Sequence, residues 1–374
     1  MKLSLLQSNL NLALSHVSRF VSLKNQLPIL SHALLTTDNG RLKLSATNLE
    51  IGINYWIGAK IEAEGSLAVP VKEISEFVSY LPSETISLSL DNKSLLHLAS
   101  SKAQSSFTTS PVVDFPVIPT LDPKTAIQLD LPKLGQAVSQ VAFSSATDDS
   151  RPVLTAVLCR FSQNNLLLAA TDGFRLSLKN LKLEKPLNLK TDQESLTLLI
   201  PARSLVEITK LAKNEKQITI GQTTDGNQIV FVLDDLELVS RLIEGDYPDY
   251  QRIIPDSFLT KIFLSKDEFS QAVKIASVFA SQSANVVKFT VGKNNLTLSA
   301  NAPQVGQNQA IVDARVEGEP LEIAFNYKFV SEFIEACRGE EIVIELNESL
   351  TPGFFHDPSD PDFTHIIMPV RLQD

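Results

Sequence analysis

Glycine is scarce in this chain, 14 of 374 residues, about 4% where roughly 7% is usual. The two closest glycines are Gly221 and Gly226, so a G-x-G-x-x-G dinucleotide fingerprint cannot occur. That pair has P-loop spacing, but Asn227 and Gln228 follow it, where a lysine and a hydroxyl residue would have to hold phosphate and magnesium. G-x-S-x-G is absent as well. Nucleotide cofactors and α/β-hydrolase chemistry are thereby set aside, and no cofactor is expected.

Cysteine is rarer still. Cys159 and Cys337 read as two buried thiols in a reducing compartment. Lys2–Val17 has some look of a secretion signal, but Gln7, Ser8, Asn9 and Asn11 interrupt it and no small-residue cleavage site follows. No stretch nears the ~20 apolar residues of a membrane span. The expected location is cytoplasmic. Positive charge is also short: 33 Lys and Arg against 43 Asp and Glu, a net charge of −10, which argues against a conventional basic nucleic-acid binder. With 43% hydrophobic and 20% charged residues, the length predicts two or three globular domains.

What the chain does have is a repeat. Leu3-x-Leu5 is followed by Leu10, Ala13, Leu14 and Val17; Ile127-x-Leu129 by Leu134, Ala137, Val138 and Val141; Ile262-x-Leu264 by Phe269, Ala272, Val273 and Ala276. Each is a short alternating strand running into the apolar stripe of an amphipathic helix. Asp130 with Pro132, and Ser265 with Glu268, supply helix-start signals. A second marker, Leu42–Asn48, corresponds to Leu166–Asp172 and Leu296–Ala302; a third, Val69-Pro70-Val71-Lys72, to Ile200-Pro201-Ala202-Arg203 and Phe325-Asn326-Tyr327-Lys328. All recur at intervals of 124 to 135 residues. Alternating strands fill the gaps, among them Thr85–Leu90, Ser94–Ala99, Gln217–Ile220, Gln228–Leu233 and Glu341–Leu346.

Proline-rich connections at Pro116–Pro123 and Pro248–Pro255 mark the boundaries. The prediction is an α+β chain of three similar domains, 1–123, 124–256 and 257–374, each with two helices on antiparallel sheet. A parallel βαβ sheet is the alternative, disfavoured by the runs of consecutive short strands.

The helices carry polar faces of amides, hydroxyls and scattered cations. The first helices show Asn9, Asn11, Ser15 and Ser18; Lys133, Gln136, Ser139 and Gln140; Lys266, Gln271 and Lys274. The second show Lys72, Arg203, Lys210, Lys213, Lys328 and Arg338. Such faces could contact phosphate without reading bases, but Glu73, Glu76, Glu207, Glu332 and Glu335 dilute any basic stripe, and from periodicity alone a solvated helix face is the preferred reading.

Local motifs then add a likeness. Leu27-Pro28-Ile29-Leu30, Thr47-Asn48-Leu49-Glu50, Ala170–Leu176, Arg241–Tyr250 and Ile367–Leu372, in this order, resemble the β subunit family of bacterial DNA polymerase III, the sliding clamps. The resemblance spans the whole chain and implies a processivity factor. Two three-domain protomers would join head to tail into a ring, with twelve helices lining the hole and duplex DNA held topologically. A mostly neutral lining suits sliding, since many tight phosphate contacts would resist it. Lys24 takes the position of a DNA-contacting cation; Lys72, Arg203, Lys210, Lys213 and Lys328 are further candidates from helix position. Pro152 and Val153 follow Arg151 where some members carry aromatics.

The resemblance also implies a pocket for a short hydrophobic peptide motif. Leu154, Thr171, Gly173, Phe174, Arg175, Leu176, Pro248, Arg252 and Ile253 would form one side. Asn326, Phe329, Leu350, Pro352 and Ile366, Ile367, Met368, Pro369, Val370, Arg371 and Leu372 would form the other. Its users would be the replicative polymerase catalytic subunit, the clamp loader, and other polymerases or repair proteins. Phe174 stands where histidine is common, the chain continues through Gln373 and Asp374, and 351–364 reads as an enlarged loop with Phe354 and Phe355. At the homodimer joint the match sets Phe107 and Thr109 against Val278 and Phe279. Thr109 is more polar than usual there, which implies a ring that opens readily.

Two rivals stand beside this reading. His356 and His365 near Asp357, Asp360 and Asp362, or the pair Asp148 and Asp149, would serve a metal-dependent nucleic-acid enzyme. The histidines sit in a Pro/Asp-rich stretch that reads as solvated loop without ligand spacing, so no catalytic residue is assigned. A peptide scaffold that never encloses DNA is the other. The three expected domains carry net charges of −1, −2 and −7. An acidic exterior with a few inner cations is compatible with a ring that slides.

Overall fold

Alternating apolar residues become strands that hide one face, and the i, i+3, i+4, i+7 runs become helices laid on that face. The computed structural model describes residues 1–22, 27–184, 186–187, 195–212, 215–255 and 257–371. Six α-helices lie among them: α1 Gln7–Val17, α2 Val71–Tyr80, α3 Leu131–Val141, α4 Ala202–Leu211, α5 Lys266–Ala280 and α6 Tyr327–Ala336. Every described strand pairing is antiparallel, which removes the parallel alternative.

The chain forms two bodies. One holds Met1–Leu131 and Glu207–Leu242. Its five-stranded sheet ends on the edge strand Gln104–Thr108, and its eight-stranded sheet runs from Ile127–Asp130 to Ser66–Pro70. Helix α1 buries Leu10, Ala13, Leu14 and Val17, and α2 buries Val71, Ile74 and Val78. The Gln7 amide donates to the Val78 carbonyl at 2.7 Å and ties the two helices.

The other body holds Pro132–Val206 and Ile243–Asp374 around one twelve-stranded sheet. Under α5 and α6 runs a chain of rings, Phe269, Phe289, Phe325, Phe355, Phe333 and Phe363, with successive centroids 5.3–6.0 Å apart. Each such pair adds about 0.5–1.5 kcal/mol beyond its buried area.

One device occurs in both bodies. The strand Leu236–Arg241 pairs with Ile51–Gly58, placing Leu238 opposite Ile53. The strand Phe363–Ile367 pairs with Arg175–Lys182, placing His365 opposite Ser177. Each time, the last strand of one repeat completes the sheet of the preceding repeat.

Several sequence expectations are corrected. The 351–364 stretch contains the strand Gly353–His356, and Phe354 and Phe355 are core residues. His365 and Asp357 are likewise fully buried. Asp357 accepts the backbone N–H groups of Arg338 (2.8 Å) and Gly339 (3.0 Å) and so ties its segment to the chain just beyond α6. Gln140 is buried and donates to Asp360 at 2.9 Å. Lys266 bends back to the Cys337 carbonyl at 2.6 Å. Ser265 stands at the start of α5, but its side chain makes no capping bond. Both cysteines are buried and free, as expected, and burial pushes the Cys159 thiol up to about 12.

Candidate functional site

The turn Thr171–Arg175 is built by its own side chains. Thr171 Oγ1 donates to the Arg175 carbonyl (2.6 Å) and accepts from the Gly173 N–H (3.0 Å), while Asp172 Oδ1 accepts from Phe174 and Arg175 N–H (2.9 and 3.1 Å). Gly173 has φ +93°, a conformation glycine adopts without a steric penalty. The turn thrusts Phe174 outward, 61% exposed, and sends Arg175 inward. The Met368 N–H donates to the Phe174 carbonyl and the Val370 N–H to that of Ala324, both at 2.8 Å. The C-terminal segment is thereby held beside the turn.

Beneath it, Leu176 and Ile366 join Ala156, Leu158, Tyr250 and Phe354 in one buried cluster. The Tyr247 hydroxyl accepts from the Thr171 N–H (3.1 Å) and donates to the Ala169 carbonyl (3.3 Å). Burial raises its pKa, keeping it a donor. Arg175 is a strut. It pairs with Asp172 at 3.0 Å and with Glu332 on α6, donates to the Phe143 carbonyl at 2.6 Å, and lies over the rings of Phe143 and Phe329.

The pocket residues expected from sequence therefore divide. Thr171, Gly173, Phe174 and Met368 meet at the turn, Pro369 follows in sequence and Val370 is held at Ala324, with Asn326 capping α6 through the Lys328 N–H (3.0 Å) and Phe329 one turn inside. Leu154, Leu176, Ile366 and Ile367 are buried backing. Pro248 precedes the short helical turn Tyr250–Ile253, which contains Ile253, and Arg252 lies on the surface, paired with Asp249 at 2.7 Å. Leu350 is exposed, and Pro352 precedes Gly353, which pairs with Ile367. Arg371 is exposed, and Leu372 lies outside the described residues. Sequence reasoning missed Phe143 and Glu332, which reach Arg175 across 32 and 157 residues and carry no local signal. Tyr247 stood in a quoted motif without a role.

The helix cations show a pattern of their own. Lys72, Arg203 and Lys328 are each the second residue of α2, α4 and α6. All three are exposed, and none makes an ion pair among the described residues. A helix N-terminus carries partial positive charge, so a cation there is disfavoured by about 0.3–1 kcal/mol. Lys210 is exposed and 3.7 Å from Glu207, whose other oxygen meets Arg19 at 2.5 Å. Lys24 and Lys213 lie outside the described residues.

On the edge strand, Phe107 leans on Phe77 with centroids 5.6 Å apart. Thr109 donates through both its N–H (3.3 Å) and its hydroxyl (2.9 Å) to the Ser94 carbonyl. Val278 is exposed on α5, and Phe279 is half-buried against its own core. Among the described residues, no three His, Cys, Asp or Glu side chains cluster so as to hold a metal ion. Among the same residues, no helix is long and apolar enough to cross a membrane.

Three family models match in succession: the DNA polymerase III beta subunit N-terminal domain over residues 1–119, its central domain over 128–249, and its C-terminal domain over 251–371. The chain belongs to the DNA polymerase III beta subunit family. Within that family it is 30% identical to the beta sliding clamp of Synechococcus elongatus over the full length of both. It is 29% identical to that of Bacillus subtilis, over 99% of this chain and all of the relative. The solved clamp structure from B. subtilis superposes over all of both chains with a TM-score of 0.93 at 28% identity. The beta subunit structure from Thermotoga maritima does so at 0.90 and 29%. The fold is thus the family's three-domain α+β clamp fold.

Proposed function

We propose that this chain is a DNA polymerase processivity factor that closes around duplex DNA as a head-to-tail homodimer and tethers its partners by a peptide pocket. The single observation that carries the reading is the strand completion repeated in both bodies. Leu236–Arg241 fills the edge beside Ile51–Gly58, and Phe363–Ile367 fills the edge beside Arg175–Lys182. The third strand of the same kind, Gln104–Thr108, is an edge with a neighbour on one side only. The third receiving edge, the first part of Gly306–Glu317, is paired with Asn295–Ala302, and its other side meets Thr260–Ser265 only from Ala314 onward. Joining these two edges between copies covers both, which is the usual remedy for a free strand edge.

The repeat also supplies a register. Ser105 corresponds to Leu238 and His365, while Asn308 corresponds to Ile53 and Ser177, by the pairings of their hairpins. Setting Ser105 opposite Asn308 brings Phe107 of one copy opposite Gly306 of the other. Gly306 is the residue whose missing Cβ would lie 3.8 Å from the Phe279 ring. Phe107 then meets Phe279, with Val278 and Thr109 at the margin.

The domains of this reading are 1–123, 124–256 and 257–374. Lys72, Arg203 and Lys328 face DNA, and Lys24, Lys210 and Lys213 are further candidates for the same role. A small number of cations holds the duplex loosely enough to slide. Phe174, Met368, Pro369 and Val370 take the partner's hydrophobic motif over the floor of Leu176 and Ile366. The polymerase catalytic subunit, the clamp loader and other DNA-handling proteins compete there. Chemistry resides in those partners, so this chain alone incorporates no nucleotide, and its working place is the cytoplasm.

The test is retention after loading. The protein should stay on circular DNA and slide off linear DNA of the same length. Equal retention on both, or on neither, overturns enclosure and leaves a peptide scaffold.

A further inference from the structure

The turn that carries Phe174 has a twin in the other body. Thr47 Oγ1 donates to the Ile51 carbonyl (3.1 Å) and accepts from the Leu49 N–H (3.0 Å), and Asn48 Oδ1 accepts from Glu50 and Ile51 N–H (3.0 and 2.9 Å). These are the bonds of Thr171 and Asp172, atom for atom. The Arg241 N–H donates to the Glu50 carbonyl at 2.8 Å, as the Met368 N–H does to that of Phe174. Asp114-Phe115-Pro116 stands for Asp246-Tyr247-Pro248. Beside the twin turn lies a groove of about 330 Å³, and Leu49, Gly52, Pro116, Val117, Val239 and Arg241 are among its lining residues.

Four replacements give this groove its own character, the first being exposed Glu50, which stands where the other turn has Phe174 and also lines the groove. Gly52 stands where the floor of the other site has Leu176. A Cβ there would already be in van der Waals contact with Ile118 and Thr47 atoms at 3.4 Å, so the floor is bare backbone and a larger side chain would have to push into the groove. Leu49 stands where the other turn has Gly173, at φ +76° and 47% exposed. A left-handed backbone is sterically unfavourable for leucine, and here it places an apolar side chain on the lip of the groove. Arg241 stands where the other site has Met368. It is exposed, with no ion pair among the described residues.

We infer that this groove is a second docking site for an extended peptide segment of a partner protein. The peptide seats an aliphatic side chain over Gly52 against Leu49 and Val239, and it gives an acidic side chain to Arg241. The inference rests on the reading that the Phe174–Met368 site takes peptides, because it is the shared turn that assigns the groove its occupant. Charge complementarity to Arg241 chooses the acidic residue, since a bidentate guanidinium–carboxylate pair forms there without displacing an existing partner, and Glu50 on the same groove restricts the peptide to a single acid placed at Arg241.

The probe is a fluorescein-labelled peptide amide, Ser-Leu-Asp-Leu-Phe, titrated into the full chain with binding followed by anisotropy and its stoichiometry by equilibrium dialysis. Two sites per chain are expected. Arg241→Ala should weaken one of them at least ten-fold, and Gly52→Leu should do the same by filling the floor. Met368→Glu should abolish the other. Changing the peptide's Asp to Asn should reproduce the Arg241→Ala loss and add nothing to it. A single site that vanishes with Met368→Glu and ignores Arg241→Ala overturns this inference and leaves the first pocket standing. A site that answers only to Arg241 and Gly52 supports it and removes the first pocket instead. No binding overturns both.

Discussion

The guanidinium carbon of Arg175 lies 4.4 Å from the centre of the Phe329 ring, so a residue of the turn strand is clamped to a residue of α6. The same guanidinium pairs with Asp172 and Glu332. Removing it strands Asp172, which is largely buried, without a counter-charge. Arg175→Ala should cost about 3 kcal/mol in urea unfolding and weaken peptide binding as the turn and α6 loosen. Arg175→Lys should recover less than half, because an ammonium cannot span two carboxylates and a carbonyl in one plane. Full recovery of peptide affinity by lysine would show that only the charge matters.

At the proposed joint, Phe107 is the large apolar residue set opposite Gly306. Phe107→Ala removes the ring that bridges to Phe279, and such an anchor is worth about 2–4 kcal/mol at an interface. Sedimentation across a dilution series should show the dimer dissociating at protein concentrations at least thirty-fold higher than for the parent chain. Gly306→Ala should act in the same direction through its φ of +129° and its added methyl. Unchanged dimers in both variants would move the joint elsewhere.

The first-turn cations set stability against function. Glutamate in place of Lys72, Arg203 or Lys328 reverses an unfavourable helix-dipole contact, so each variant should be neutral or up to about 1 kcal/mol more stable. Each should also lose DNA affinity at low salt and flatten its salt dependence. Thermal melting and DNA retention should thus move in opposite directions. If both fall together, the cations serve the fold.

His365 supplies a pH signature. It is fully buried, its Nδ1 is 2.8 Å from the Ser177 hydroxyl, and its ring stacks on Phe333. Burial holds its pKa down to about 3, from an ordinary 6.5. The folded protein keeps the ring neutral where the unfolded chain takes up a proton, so stability falls as pH drops from about 6.5 towards 3. The slope from this one group is about 1.4 kcal/mol per pH unit. His16 and His356, also lowered mainly by burial, act in the same direction. His365→Phe keeps the stacking and removes the proton. Urea midpoints measured from neutral to mildly acidic pH should fall less steeply for it than for the parent chain.

Much of this was legible in the sequence, because periodicity and repetition are local. Leu10, Ala13, Leu14 and Val17 announce their helix, and Thr85–Leu90 and Glu341–Leu346 emerge as strands at the bounds expected. The failures share a cause. Gln140, Lys266 and His365 are polar by type and look solvated, but Asp360, the Cys337 carbonyl and Ser177 satisfy them from 220, 71 and 188 residues away. The stretch 351–364 looked like a loop because Pro and Asp mask a strand only four residues long. The Thr171–Arg175 turn was readable; the Arg175 strut beneath it depends on partners that only folding brings near.

The donated strand has one further consequence. A piece that carries one giving edge and one accepting edge is bifunctional, in the sense that a polymer chemist gives the word. Nothing in the edges themselves limits how many pieces join; the bend contributed at each junction decides whether growth returns to its start or runs on.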